Sequence, residues 1–260
     1  MLEGICLLLA LLCAVLLFLL GRAHYRIKCA ARESEVRRRY TAEFSHDMRT
    51  PLAAVLGYLE VLSHLSMPEE QKSRVQAALV RARALRDLTG DFFQLSLLEY
   101  GAPPARLCKL ELNQIVTDAV LSFYDAFTEK GISVQLDKAK TPLFIKGEPH
   151  LLERVLQNVL GNCLKYTVGP VSIRLAEERE SICVTVRNPV FDLTQIDEKR
   201  LFDEFYMVED QKQNGSSGLG LTIVRRFMEQ MGAQVTAVKE EQQLAIRLRF
   251  PSMPKENEGV

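Results

Sequence analysis

The chain has 260 residues, 33 of them basic and 33 acidic, so its formal net charge is zero. That balance excludes a disordered acidic tail and a protein held to nucleic acid by bulk charge. Six scattered cysteines without a C-x-x-C pair indicate neither a disulfide scaffold nor a zinc or redox motif.

Residues 4–21 read GICLLLALLCAVLLFLLG and carry no charge. As a helix rising ~1.5 Å per residue they reach ~27 Å, the hydrocarbon thickness of a bilayer. MLEG supplies no basic leader, and no small-residue cleavage site follows, which sets aside a signal peptide. Basic residues come after the run instead: Arg22, Arg26, Lys28, Arg32, Arg37, Arg38 and Arg39. By the positive-inside rule the downstream chain is cytoplasmic and the short amino terminus lies outside. The expectation is a single-pass anchor in the cell membrane over residues 1–21, with no outer sensing domain. A juxtamembrane helix follows over 22–39.

From residue 40 to 100 the spacing predicts a helical hairpin. Phe44, Met48, Leu52, Val55, Leu59 and Leu62 form one apolar seam. Ser66-Met67-Pro68-Glu69 stops the first helix and starts the second. Val75, Leu79, Ala82, Leu85, Leu88, Phe92 and Leu95 form the other seam. Two helices alone cannot bury both seams, so the pattern predicts a homodimer closed as a four-helix bundle. His46 lies two residues from both Phe44 and Met48, about 200° round the helix, and so faces outward. Thr50 lies one turn further on the same face, and Pro51 removes the backbone donor for the carbonyl of Asp47.

Ser45-His46-Asp47-Met48-Arg49-Thr50-Pro51-Leu52 resembles the phosphoacceptor box of sensor histidine kinases, S-H-E/D-x-R-T-P-L. The resemblance implies that His46 accepts a phosphoryl group, that Asp47 orients or deprotonates the imidazole, and that Thr50 places a water for the reverse reaction on a response regulator. The chemistry is consistent with the residue types. A neutral imidazole is a nitrogen nucleophile, and a carboxylate that holds one ring nitrogen protonated leaves the other lone pair free.

Gly101-Ala102-Pro103-Pro104 marks a boundary. Beyond it the pattern predicts an α+β domain over 106–252, with a tail at 253–260. Strands are expected at Cys108–Leu112, Ile132–Leu136, Leu143–Lys146, Val171–Ala176, Ser181–Arg187 and Gln243–Phe250. Helices are expected from Asn113, as cap, to about Lys130, then over Pro149–Tyr166 and Leu221–Met231.

Three segments here carry chemistry. Asn158 and Asn162 share a helix face, and Lys165 follows on the next turn. An amide oxygen suits Mg²⁺, and a lysine offsets phosphate charge. The segment Asn158-Val159-Leu160-Gly161-Asn162-Cys163-Leu164-Lys165-Tyr166-Thr167 resembles the N-box of the same kinases, with Cys163 in place of the usual alanine. Phe202-Asp203-Glu204-Phe205 resembles their F-box and precedes a hydrophilic stretch, Glu209–Ser217, expected to be a lid. Gly215-Ser216-Ser217-Gly218-Leu219-Gly220-Leu221 resembles their G2-box, glycines that let backbone amides approach phosphate at a helix start. The G1-box is reduced to Asn188-Pro189-Val190-Phe191-Asp192, with Asn188 at the place of the adenine-recognising aspartate and no glycines.

The resemblance implies a Bergerat-type α/β sandwich that binds ATP. It gives Mg²⁺ to Asn162, places Asn158 and Lys165 near the phosphates, and sets Tyr166 beside the nucleotide. It implies a kinase that transfers phosphate from ATP to His46 and on to the receiver domain of a response regulator. With no outer domain expected, the signal would come through the membrane, through a membrane partner such as a transporter, or from the cytoplasm. The alternative is a scaffold or pseudokinase, supported by the lost glycines alone.

Overall fold

The structure, a computed structural model, describes residues 22, 25, 28, 36, 43–99, 105–178, 180–208 and 217–253, without the side chains of residues 97 and 99. Among these residues no helix is long and apolar enough to cross a membrane. The span expected over residues 1–21 and most of the expected lid lie outside them.

Residues 43–63 are helical (α1) and α2 runs over Glu69–Glu99. Pro68 sits between them, and its carbonyl accepts the amides of Gln71 and Lys72 that open α2. The helices are antiparallel: Phe44 meets the edge of Phe93 with centroids 5.8 Å apart, and Arg83 donates to Glu60 at 3.0 Å. The seam between them follows the expected one in part: Leu79 and Leu95 are buried, and Met48, Leu52, Leu59, Val75 and Leu88 are half-buried. Leu56 and Phe93 are buried in place of the expected Val55 and Phe92, which stay exposed with Leu62 and Leu85. Each helix carries apolar residues at adjacent positions, so one stripe closes the hairpin and the other is left facing outward.

The second domain holds two sheets. β1 (Cys108–Glu111) pairs antiparallel with β3 (Phe144–Gly147). The larger sheet has the order β2-β4-β5-β7-β6, formed by Val134–Asp137, Val171–Glu178, Ser181–Pro189, Gln243–Pro251 and Gln234–Glu240. β2 runs parallel to β4 and every other pair is antiparallel. Val171, Ile173 and Leu175, then Ile182, Val184 and Val186, then Ile246, Leu248 and Phe250 alternate into one buried face. Helices α3 (Leu112–Ser122), α5 (Pro149–Tyr166) and α6 (Gly220–Gln230) contribute to the same core.

Helix α5 is the element that positions the site. Its Leu152, Val155, Leu156, Val159, Leu160 and Cys163 form a buried stripe at helical spacing. Each large member contributes ~1.5–3 kcal/mol on burial. Glu148 caps the start by accepting the amide of Leu151 at 2.7 Å, and Pro149 occupies the first turn where its missing donor costs nothing. The helix ends at Thr167, whose backbone turns extended and whose hydroxyl donates to the carbonyl of Gly169 at 2.9 Å. The polar face of α5 is therefore fixed in rotation and along its axis.

Two sequence expectations are corrected here. Asn113 does not cap its helix, because the extended Glu111 precedes α3; its amide instead donates to the carbonyls of Ala139 and Thr141. The helix expected to continue to Lys130 breaks at Phe123, and α4 (Tyr124–Glu129) turns so that Phe127 is fully buried. β6 is an edge strand that the sequence reading did not include.

Cys108 is exposed, whereas Cys163 and Cys183 are buried, and burial pushes the Cys163 thiol up to about 12. We expect a maleimide to label Cys108 in the native chain and to reach Cys163 and Cys183 only after denaturation. Peptide mass mapping checks this, and native labelling of Cys163 would contradict the packing of α5.

Candidate functional site

His46 stands on α1 with its side chain 78% exposed. Its Nδ1 lies 3.6 Å from an Asp47 oxygen, too long for a hydrogen bond but close enough to bias the ring's orientation. The Thr50 hydroxyl donates to the carbonyl of His46 at 3.3 Å, tying the two residues across one turn. At that exposure the imidazole is open to a large phosphoryl donor.

A cavity opens at the inner face of the second domain, between α5, the loop before α6 and the sheet. Asn158, Asn162, Lys165 and Tyr166 line it from α5, and Ser217, Gly218, Gly220 and Leu221 from the loop and the start of α6. Its floor is apolar, with Leu244 and Ile246 from β7 and Ile196 and Val190 beside them. Asn188 of β5 also lines the cavity and is only 5% exposed. The cavity thus has two chemical ends. One is an apolar slot with a buried amide, and the other gathers amides, a lysine and a helix start.

Two glycines shape the second end. Gly218 has φ +68°, and a Cβ there would stand 3.0 Å from the Phe205 backbone. A Cβ on Gly220 would stand 3.0 Å from Asn158 Oδ1, so this glycine lets α6 approach the polar face of α5. The Asn158 amide donates back to the carbonyl of Arg154 at 2.9 Å, which points its oxygen toward that contact.

Residues 147–254 match the model of the histidine kinase-, DNA gyrase B- and HSP90-like ATPase, and residues 36–101 match the His Kinase A (phospho-acceptor) domain. Sensor histidine kinase YcbM of Bacillus subtilis is 30% identical over 212 residues, covering 79% of this chain and 68% of that protein. The chain belongs to the sensor histidine kinases. It is accordingly an ATP-dependent histidine kinase with an α+β architecture. Sensor protein GacS of Pseudomonas syringae is 26% identical over 243 residues, and the kinase spans only 27% of its length. Among solved structures, full-length ShkA in complex with AMPPNP superposes with a TM-score of 0.66 at 24% identity, over 84% of this chain and 47% of that one. The histidine kinase AdeS of Acinetobacter baumannii gives a TM-score of 0.57 at 18% identity, over 80% of this chain and 98% of that one. Both likenesses concern the fold.

Several of the expected site residues of this kinase lie away from the cavity lining. Phe202 is buried in the core and Phe205 is 59% exposed with φ +59°; neither side chain lines the cavity. Their segment instead contributes Leu201, Tyr206 and Met207, because Phe205 turns the chain and leaves its backbone against Gly218. Leu219 is fully buried and packs inward rather than facing the cavity. Gly215 lies outside the described residues. Residues that sequence reasoning missed include the floor positions Leu244 and Ile246, which read there as ordinary strand core. Asp91, from α2 of the phosphoacceptor hairpin, was missed as well.

Proposed function

We propose that this kinase binds Mg-ATP in the cavity and phosphorylates His46. It then passes the phosphoryl group to an aspartate in the receiver domain of a response regulator. The observation that carries this reading is the pairing of an exposed His46 with a two-ended cavity on one hairpin-linked chain.

The apolar slot suits a purine ring, and Asn188 supplies the buried polar contact that a base edge needs. The Gly218–Gly220 turn and Lys165 suit the phosphates, with backbone amides at the start of α6 aimed at negative charge. Asn162 offers an amide oxygen for Mg²⁺, the fitting donor type for that ion. Among the described residues no three His, Cys, Asp or Glu side chains gather to hold a metal, so such an ion would rest on Asn162 and the phosphates. Bound Mg²⁺ would offset charge on the phosphates.

At His46, Asp47 favours the tautomer with the proton on Nδ1, leaving the Nε2 lone pair free. Nε2 attacks the γ-phosphorus, the bond to the β-phosphate oxygen breaks, and ADP leaves. The Nδ1 proton then passes to Asp47 or water. Thr50, held one turn away, is placed to orient a water for the reverse reaction on the regulator.

The outward apolar positions Val55, Leu62, Leu85 and Phe92 support a homodimer closed as a four-helix bundle. The uncharged run of residues 4–21 supports a membrane anchor, with both domains on the cytoplasmic side. The scaffold reading gains nothing from the cavity, since Asn188 lines it despite the lost glycines.

Asn188→Leu separates the two ends of the site. Removing a buried hydrogen-bonding group costs ~0.5–1.5 kcal/mol, up to about tenfold in affinity. We expect adenosine and the ATP analogue AMPPNP to weaken by the same factor, measured by calorimetry on the full chain. A loss confined to the phosphorylated ligand would place the base elsewhere.

A further inference from the structure

Asp91 belongs to the phosphoacceptor hairpin, yet it lines the nucleotide cavity. Its Oδ2 accepts the Ser217 hydroxyl at 2.8 Å, and that hydroxyl in turn accepts the amide of Leu219 at 3.2 Å. One of the backbone donors in the turn before α6 is therefore engaged, through Ser217, by a carboxylate from α2. Arg154 and Lys165 lie close enough to lower the cost of this charge, while Asp87 raises it. Burial outweighs the favourable contacts and pushes the Asp91 carboxyl above the usual range.

The place of Asp91 along the hairpin matters as well. Phe44 meets Phe93 across the antiparallel pair, and His46 and Asp91 each lie two residues from that contact in the same direction. With ~1.5 Å of rise per residue, the two residues share one level of the hairpin. The contact thus docks the phosphate end of the cavity at the height of the phosphoacceptor. The dock is not fully satisfied: Nε of Arg154 on α5, whose charge acts on Asp91, is buried with no hydrogen-bond partner among the described residues.

We propose that Asp91 is a nucleotide-affinity determinant contributed by the hairpin, an internal anion that competes with the nucleotide's phosphates for the Ser217 turn and for Lys165. The inference rests on the proposed nucleotide site and deepens it. Phosphates and the Asp91 carboxylate are both negative and draw on the same donors, so each weakens the other's hold. By linkage, a phosphorylated nucleotide loosens α2 from the second domain as much as the docked α2 weakens the nucleotide. Binding of ATP then releases the domain at the level of His46. A nucleoside without phosphates lacks the competing charge and leaves the dock in place.

The test is calorimetry on the full chain with Mg-AMPPNP, Mg-ADP and adenosine, comparing the wild type with Asp91→Asn. Asparagine keeps the shape and an acceptor for Ser217 and removes only the charge. AMPPNP should bind about five- to tenfold more tightly to the variant, ADP should gain less, and adenosine should stay within about twofold. Asp91→Ser, smaller and equally neutral, should give the same order and guards against a fault peculiar to the amide. Unchanged or weaker AMPPNP binding, or an equal gain for adenosine, overturns the proposal while leaving the nucleotide site standing. A wild-type chain that binds none of the three overturns both.

Discussion

His46→Gln is expected to take up no phosphate from labelled Mg-ATP and still to bind AMPPNP as the wild type does. The expected loss is complete, because the substitution removes the nucleophile itself rather than a group that assists it. No other described histidine can take its place. His64 lies in the turn after α1 and His150 in the first turn of α5, and neither has an adjacent carboxylate and a threonine one turn on. The imidazole is 78% exposed, so its replacement should change stability by less than ~0.5 kcal/mol. A filter-binding assay with calorimetry on the same preparation checks both halves. Undiminished incorporation in the variant would move the phosphoacceptor elsewhere.

Gly218→Ala should cost about five- to a hundredfold in AMPPNP affinity. The residue has φ +68°, where a non-glycine residue costs ~1–3 kcal/mol, and the new Cβ would meet the Phe205 backbone at 3.0 Å. Backbone cannot swing aside as a side-chain end can. The turn must therefore move, and with it the amides that open α6 toward the phosphates. Adenosine, seated in the slot around Asn188, should lose less than threefold, roughly. Equal losses for both ligands would mean that the substitution damages the whole domain rather than its phosphate end.

The α5 residues that line the cavity were legible because they lie close together along the chain. Asn158, Asn162 and Lys165 fall on one helix, and the amphipathic stripe of α5 fixes which way they face. The order of the strands was not legible. Pairing β2 parallel to β4 and inserting β7 between β5 and β6 depends on contacts far apart in sequence. The edge strand β6 escaped notice because only part of its pattern is apolar. The placement of Phe202 and Phe205 was not legible for a conformational reason: Phe205 has a positive φ and an exposed ring, and Phe202 joins the core. In the hairpin, adjacent apolar pairs such as Val55-Leu56 and Phe92-Phe93 gave the spacing no way to decide which member turns inward. Asp91 could not have been found from the sequence at all. It reads as one charge on a long helix, and only the docking of α2 against the second domain brings it to Ser217.

The proposed function stands on one event, transfer of phosphate from ATP to the imidazole of His46. It is tested most directly by incubating the full chain with labelled Mg-ATP, then treating it with acid and base and mapping the phosphopeptide. The prediction is a label that survives base, is lost in acid, and maps to the peptide holding Ser45-His46-Asp47. A chain that binds AMPPNP but acquires no such label, or one whose label survives acid on a serine or threonine, would contradict it.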